Sequence, residues 1–218
     1  MDSTKPKGTP KGTKDRLVLA AAYLFARKGF KATTVREICE RAGSGNINSV
    51  NYYFGGKEAL YREILELIFA SHADYQQAYS PADSALEKLR RFVSSYCAML
   101  YGEGEIARDF IRIFNAEMAQ PSRFLEALVT KHTKPQTLAF LEVVRELLGP
   151  DVPEDAVRDT CISIGGQILY YSYAWPVFSR VFPDHPGMEN YFQQLAEHII
   201  TFSLGGIAAV GQKYRENK

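Results

Sequence analysis

Thr33 to Leu60 reads TTVREICERAGSGNINSVNYYFGGKEAL, and its residue spacing describes two short helices joined by a tight turn. Thr34 followed by Glu37 has the pattern of a capping box, in which a hydroxyl and a carboxylate satisfy amide donors that otherwise lack a partner at a helix start. Val35, Ile38, Cys39 and Ala42 fall at i, i+3, i+4 and i+7, one apolar face of a helix. Gly43 is placed to end that helix in the left-handed conformation, and Ser44 and Gly45 make the turn. Asn46 is then a candidate cap for a second helix, in which Ile47, Val50 and Phe54 keep helical spacing. Two helices in this arrangement form a helix-turn-helix.

Asn48, Ser49, Asn51, Tyr52 and Tyr53 are left for the other face of the second helix. That face carries amides, a hydroxyl and phenols but no charge, which is unusual for a merely solvated surface. Asn pairs two hydrogen bonds with adenine, Ser suits most base edges, and a Tyr hydroxyl suits a phosphate. Lys57 opens the next helix beside amides that point the same way, a position fitted to a phosphate; the plain alternative is a solvated Lys.

With these residues in view, the chain resembles the TetR-type transcriptional regulators. The likeness rests on the run from Ala42-Gly43 through NYYF to GGKEALY, preceded by ARKGFKATTVREI at Ala26 to Ile38, and it covers roughly Asp15 to Leu67. The turn at Ser44-Gly45 is one residue longer than the common pattern, so the resemblance carries over to Asn51 to Phe54 and leaves the register of Asn46 to Ser49 open. It implies an all-α protein: an N-terminal three-helix helix-turn-helix head, and a C-terminal helical domain for ligand binding and dimerisation. It also implies a double-stranded DNA operator met by Thr33, Thr34, Asn46, Asn48, Ser49, Asn51, Tyr52, Tyr53 and Lys57, and a homodimer built from the last two long helices. FNAEMAQPSRFLE, from Phe114 to Glu126, looks like one branch of these regulators with its own type of C-terminal domain.

The remainder of the chain is consistent with that division. Its 218 residues, 46% hydrophobic, are enough for a sizeable core. The net charge is +1, yet residues 1–62 hold 12 Lys and Arg against 5 Asp and Glu, a balance of +7 that leaves −6 for the rest. A basic head attracts a polyanion, and an acidic remainder points away from it. Residues 1–14, rich in Lys, Pro, Gly and Thr, read as a flexible basic arm. An amphipathic helix from Asp15 to Lys28 buries Leu17, Ala21, Leu24 and Phe25 and stops at Gly29. The head thus spans 15–56, and a connecting helix spans 57–80 with Leu60, Ile64, Leu67 and Ile68 inward. The domain at 81–218 has candidate helices Ser84–Tyr101, Ile106–Ala119, Pro121–Leu148, Glu154–Val177 and Gly187–Lys213, with a kink or split at Pro135.

Thr160 to Ser179 carries no charge over a length that could cross a bilayer, but its Ser, Gly, Gln and Pro content favours a helix buried against its own domain and a second subunit. Gly165 and Gly166 permit close approach there, and Leu195, Ile199 and Phe202 of the last helix complete a four-helix interface between two chains. Cys39, Cys97 and Cys161 stand far apart, and the four His show no ligand spacing, so neither a metal site, a cofactor nor a disulfide framework is indicated. A reducing cytoplasm is the simplest setting. Tyr96, Phe110, Phe114, Phe140, Tyr170, Tyr171 and Trp175 are candidates to line an apolar cavity for a small-molecule effector, although core filling accounts for most aromatics. The reading that follows is a DNA-binding regulator, a repressor released from a palindromic operator by a ligand. Its rivals are a helical small-molecule-binding protein or enzyme with an incidental basic head, for which no catalytic constellation is present, and a non-specific architectural DNA binder, which the uncharged reading helix disfavours.

Overall fold

The computed structural model describes residues 12–73, 82–102 and 104–216, and these form helices with no strand among them. The basic arm expected at 1–14 lies outside the described residues as far as residue 11, and so does the stretch 74–81 in which the connecting helix is expected to end.

The head is built from α1 (Thr13–Ala32), α2 (Val35–Arg41), α3 (Ser49–Phe54) and α4 (Lys57–Ala73). In α1, Leu17, Ala21, Leu24 and Phe25 are buried, and Gly29 at φ +77° breaks the helix where the sequence places its end. A further turn over Phe30–Ala32 leads to α2, whose capping box is formed: Thr34 Oγ1 accepts from the Glu37 amide at 3.2 Å, and Glu37 Oε2 accepts from the Thr34 amide at 2.9 Å. Ile38, Cys39 and Ala42 are buried, as is Val50 on α3. Along α4, Leu60, Ile64 and Ile68 point inward, but Leu67 is 45% exposed, and Leu65 and Phe69 are buried in its stead. The difference arises because α4 packs on α1 at one side and on two later helices at the other, so its inward stripe is wide and residue 67 falls outside it.

The remaining helices are α5 (Ala85–Tyr101), α6 (Glu105–Ala119), α7 (Leu125–Leu128), α8 (Lys134–Leu148), α9 (Glu154–Val181) and α10 (Met188–Glu216), with a π-helical turn, Val129–Thr133, between α7 and α8. The helix expected from Pro121 to Leu148 is therefore irregular, but upstream of Pro135. The Lys134 amide reaches back five residues to the Val129 carbonyl, and the backbone stays right-handed helical through Thr133 and Lys134, so the irregularity at Pro135 is a π-helical turn just before it and not a break. Helix α9 runs through Pro176 and four residues past its expected end at Val177. No helix of the described residues, α9 included, is long and apolar enough to cross a membrane.

Two apolar cores result. The upper one joins α5, α8, α9 and α10 around Leu89, Val93, Val144, Val157, Ile168 and Ile200, with the Phe92 and Phe140 rings stacked at 3.7 Å. The lower one holds the head, and it also takes in Ile113 of α6 and Leu128 of α7. Burying a side chain of this size stabilises the fold by roughly 1.5–3 kcal/mol, so these two residues tie the head to the second domain. Polar contacts reinforce the tie. Arg27 on α1 pairs with Asp109 on α6 at 2.8 Å, and the Tyr61 hydroxyl on α4 donates to Glu117 on α6 at 3.0 Å. Both carboxylates are buried.

Candidate nucleic-acid interface

Seven residues, 42–48, connect α2 to α3, and the loop is held by its own polar groups. The Ser44 amide bonds the Cys39 carbonyl at 2.9 Å, and its Oγ lies 2.6 Å from Ser49 Oγ. Asn46 Oδ1 accepts from the Asn48 amide at 2.8 Å, and the Ser49 amide reaches the Asn46 carbonyl at 3.1 Å. Gly43 at φ +64° and Gly55 at φ +81° close the two ends of the unit in a conformation that side chains with a Cβ resist.

This loop corrects the second helix in three respects. It begins at Ser49, with Asn48 in the capping position, so Asn46 caps the preceding turn and not the helix itself. Ile47, expected on the apolar back, is 53% exposed. Ser49, expected to face base edges, is buried with its hydroxyl turned onto Ser44. The extra residue in the turn shifts this register, since one more residue before the helix rotates each side chain ahead of Val50 away from its expected direction.

Other proposed contacts have structural duties. Thr33 is 1% exposed and donates to the Gly29 carbonyl at 2.9 Å, which removes it from the surface. The Thr34 hydroxyl is engaged in the capping box with a carboxylate beside it. Lys57 is half-buried: its ammonium donates to the carbonyls of Phe30 at 2.9 Å and Thr33 at 2.8 Å and stands 4.4 Å above the Phe30 ring. These bonds fasten α4 to the α1–α2 link.

What remains outward is Asn46, Asn48, Asn51, Tyr52 and Tyr53. Tyr52 is 82% exposed and meets Tyr53 edge to face, with 4.9 Å between ring centres. A hollow between α1 and this surface is lined by Thr13, Arg16, Ser44, Asn46, Ser49, Tyr52 and Tyr53. Sequence reading did not single out Arg16. Its guanidinium donates to the Ala42 carbonyl at 3.0 Å and to Thr13 Oγ1 at 3.1 Å, which brings a cation to the edge of the reading surface; the signal for it is the basic start of an amphipathic helix that must cover the helix-turn-helix.

Beyond the head, α9 shows an apolar stripe of Ile162, Tyr170, Tyr173, Val177 and Val181, with Phe202 of α10 nearby in character and exposure. A side-chain carbon placed on Gly165 or Gly166 would meet no atom of this chain within 4 Å. Leu195 and Ile199, assigned by sequence to a subunit interface, are instead 1% exposed in the upper core. A groove of about 330 Å³ runs between α9 and α10, with Ile164, Gln167, Phe202, Ser203 and Gly206 among its lining residues. The aromatic set proposed for a cavity is divided. Phe110 and Phe114 pack on the lower core, Phe140, Tyr96, Tyr171 and Trp175 on the upper, and Tyr170 is 57% exposed. Hydrophobic stripes on α6 and α9 serve different cores, which periodicity within one helix cannot reveal. No cluster of metal-ligating side chains occurs among the described residues, and the three Cys are free and buried.

Comparison with known proteins agrees with this geometry. Residues 17–64 match the family described as bacterial regulatory proteins, tetR family, and residues 85–207 match the C-terminal domain of the HTH-type transcriptional dual regulator CecR. The chain is 28% identical over 212 residues to the HTH-type transcriptional repressor KstR2 of Mycolicibacterium smegmatis, covering 91% of this chain and 92% of that one. The E. coli HTH-type transcriptional regulator RutR is 31% identical over 113 residues, 48% of either chain. Among solved structures, a TetR-family regulatory protein from Rhodococcus RHA1 superposes with a TM-score of 0.68 at 21% identity, over 88% of this chain and 97% of that one. The ketosteroid transcriptional regulator KstR2 of Mycobacterium tuberculosis does so with 0.62 at 22%, over 93% and 98%. At these identities the structures share the fold.

Proposed function

The chain belongs to the TetR family of DNA-binding transcriptional regulators, and from that membership we propose that it acts as a homodimeric repressor whose two heads read an inverted repeat and release it when a small molecule occupies the C-terminal domain. The observation that carries the DNA half of this reading is the outward face of Asn46, Asn48, Asn51, Tyr52 and Tyr53 on a basic head. Amides read adenine edges, while phenol hydroxyls and the Arg16 guanidinium suit phosphates. The dimer is supported by the apolar stripe on α9 and by Phe202, too large an exposed surface for a helix that serves only its own chain. The route we propose for release runs through the shared lower core: Asp109 ties α6 to α1 and Glu117 ties it to α4, so a shift of α6 reaches the head, and ligand and DNA then oppose each other by one coupling energy.

Selection from a library of random duplexes tests the reading. The regulator enriches an inverted repeat with half-sites about one helical turn apart or a multiple of it, and an apolar effector found in a compound panel lowers its affinity. Enrichment of no sequence, or of a single unrepeated half-site, counts against the proposal.

A further inference from the structure

Ile47 is an apolar residue of the head that packing does not account for. It is an apolar β-branched side chain, 53% exposed, in a connection otherwise made of Ala, Gly, Ser and Asn. Its carbonyl accepts from the buried Cys39 thiol at 3.5 Å, so its backbone is tied to the inner side of the unit and its side chain is left outside, between the exposed Asn46 and Asn48. An apolar residue just before a helix cap can pack on the fourth helical residue, here Tyr52, but Tyr52 is 82% exposed and buries little against it.

We propose that Ile47 is a specificity-determining residue that reads thymine by its C5-methyl group, an inference that rests on the head being a reader of duplex DNA. A helix-turn-helix presents the N-terminal end of its second helix to base edges, and Ile47 immediately precedes that end. The thymine methyl is the apolar feature of the major groove, and cytosine offers an amino group in its place. Contact removes both apolar surfaces from water, whereas cytosine would leave its amino donor facing a side chain that cannot accept. The flanking Asn46 and Asn48 suit adenine, so the loop as a whole selects A·T pairs. The bonds from Ser44, Asn46 and Cys39 hold it in place before DNA arrives.

The test uses the full-length protein and a duplex it has itself enriched from a random library, with each thymine of one half-site replaced in turn by uracil, which removes only the methyl. For the unmodified protein, uracil at one or two positions raises Kd about fourfold, the effect of one buried methyl. For Ile47→Ala, which leaves every hydrogen bond of the loop in place, the same replacements have no effect beyond error. Equal sensitivity in the two proteins, insensitivity at every thymine, or a half-site without thymine overturns the assignment. Failure to enrich any sequence overturns the regulator reading itself and this assignment with it, a result that an enriched site insensitive to uracil does not resemble.

Discussion

Asn51 and Tyr52 are neighbours on a helix of six residues, and they offer different groups to the same partner. An amide that pairs with adenine discriminates among bases, whereas a phenol on a phosphate does not. Asn51→Ala is expected to cost about 1–3 kcal/mol on the selected site and little on random duplex; equal losses on both would remove Asn51 from base reading. Tyr52→Phe should weaken both DNAs by the same factor. Lys57 belongs to a third class, because its ammonium serves two carbonyls of the head. Replacing it with Ala strips those carbonyls of a charged donor, and the urea midpoint should fall by the equivalent of about 1.5–3 kcal/mol. An unchanged midpoint combined with a shallower salt dependence of DNA binding would instead return Lys57 to the phosphates.

At the scale of the element, α2 depends on its first turn. Glu37 accepts a hydrogen bond from Lys28 and closes the box with Thr34, and these contacts hold its carboxyl down to about 2, below the ordinary carboxylate value. A carboxyl lowered in the folded state contributes stability above its unfolded pKa, and that contribution disappears as pH falls through the folded one. The difference in melting temperature between the unmodified protein and Glu37→Gln should therefore be full above about pH 5 and vanish toward pH 2. A difference constant across that range would show that the Glu37 charge does not contribute to the stability of α2. Helix α6 depends on its buried face in a different way. Glu117 accepts from the Tyr61 hydroxyl and from the Ser122 amide at 2.8 Å, so Glu117→Ala leaves a buried hydroxyl and a partly buried amide without their acceptor. The expected loss is about 2–5 kcal/mol in a urea titration, with the head loosened from α6. A variant as stable as the parent would mean that water or another acceptor satisfies Tyr61 and Ser122.

For the whole molecule, the question is what covers α9. A stripe with Ile162 at 69%, Tyr173 at 71% and Val177 at 61% exposure runs along its outer side, and Gly166 lies on the same open side with no neighbour. Gly166→Leu should not lower the melting temperature of the protomer, since a side-chain carbon at that position meets no atom of this chain within 4 Å and Leu favours a helix over Gly. It should weaken association in sedimentation at micromolar concentration by holding two α9 helices apart. If the unmodified protein sediments as a monomer there, the dimeric reading fails. The free Cys97 and Cys161 are buried in the upper core, which pushes their thiols up to about 12 and about 11. Both should resist alkylation at neutral pH until the chain unfolds, and rapid labelling of the native protein would contradict their burial.

The linear order of residues by itself determined the helices and the reading unit. The Thr34 box, the Gly43 stop, and the buried Ile38, Cys39 and Val50 are local: each depends on residues within one or two turns, and each is formed. Tertiary structure decided which side chains remain free to act. Ser49 and Thr33 look available in the sequence, but a hydroxyl five residues away in one case and a carbonyl across a helix break in the other claim them. Lys57 is taken by carbonyls 24 and 27 residues earlier, which no periodicity within α4 can show. Leu195 and Ile199 are apolar and buried in their own chain, not left for a subunit contact, because helical spacing tells that a face is buried and not against what. Phe110 and Phe114 were divided from the other aromatics for the same reason: α6 turns toward the head, and a helix's partner is fixed by packing among distant elements, not by its own sequence.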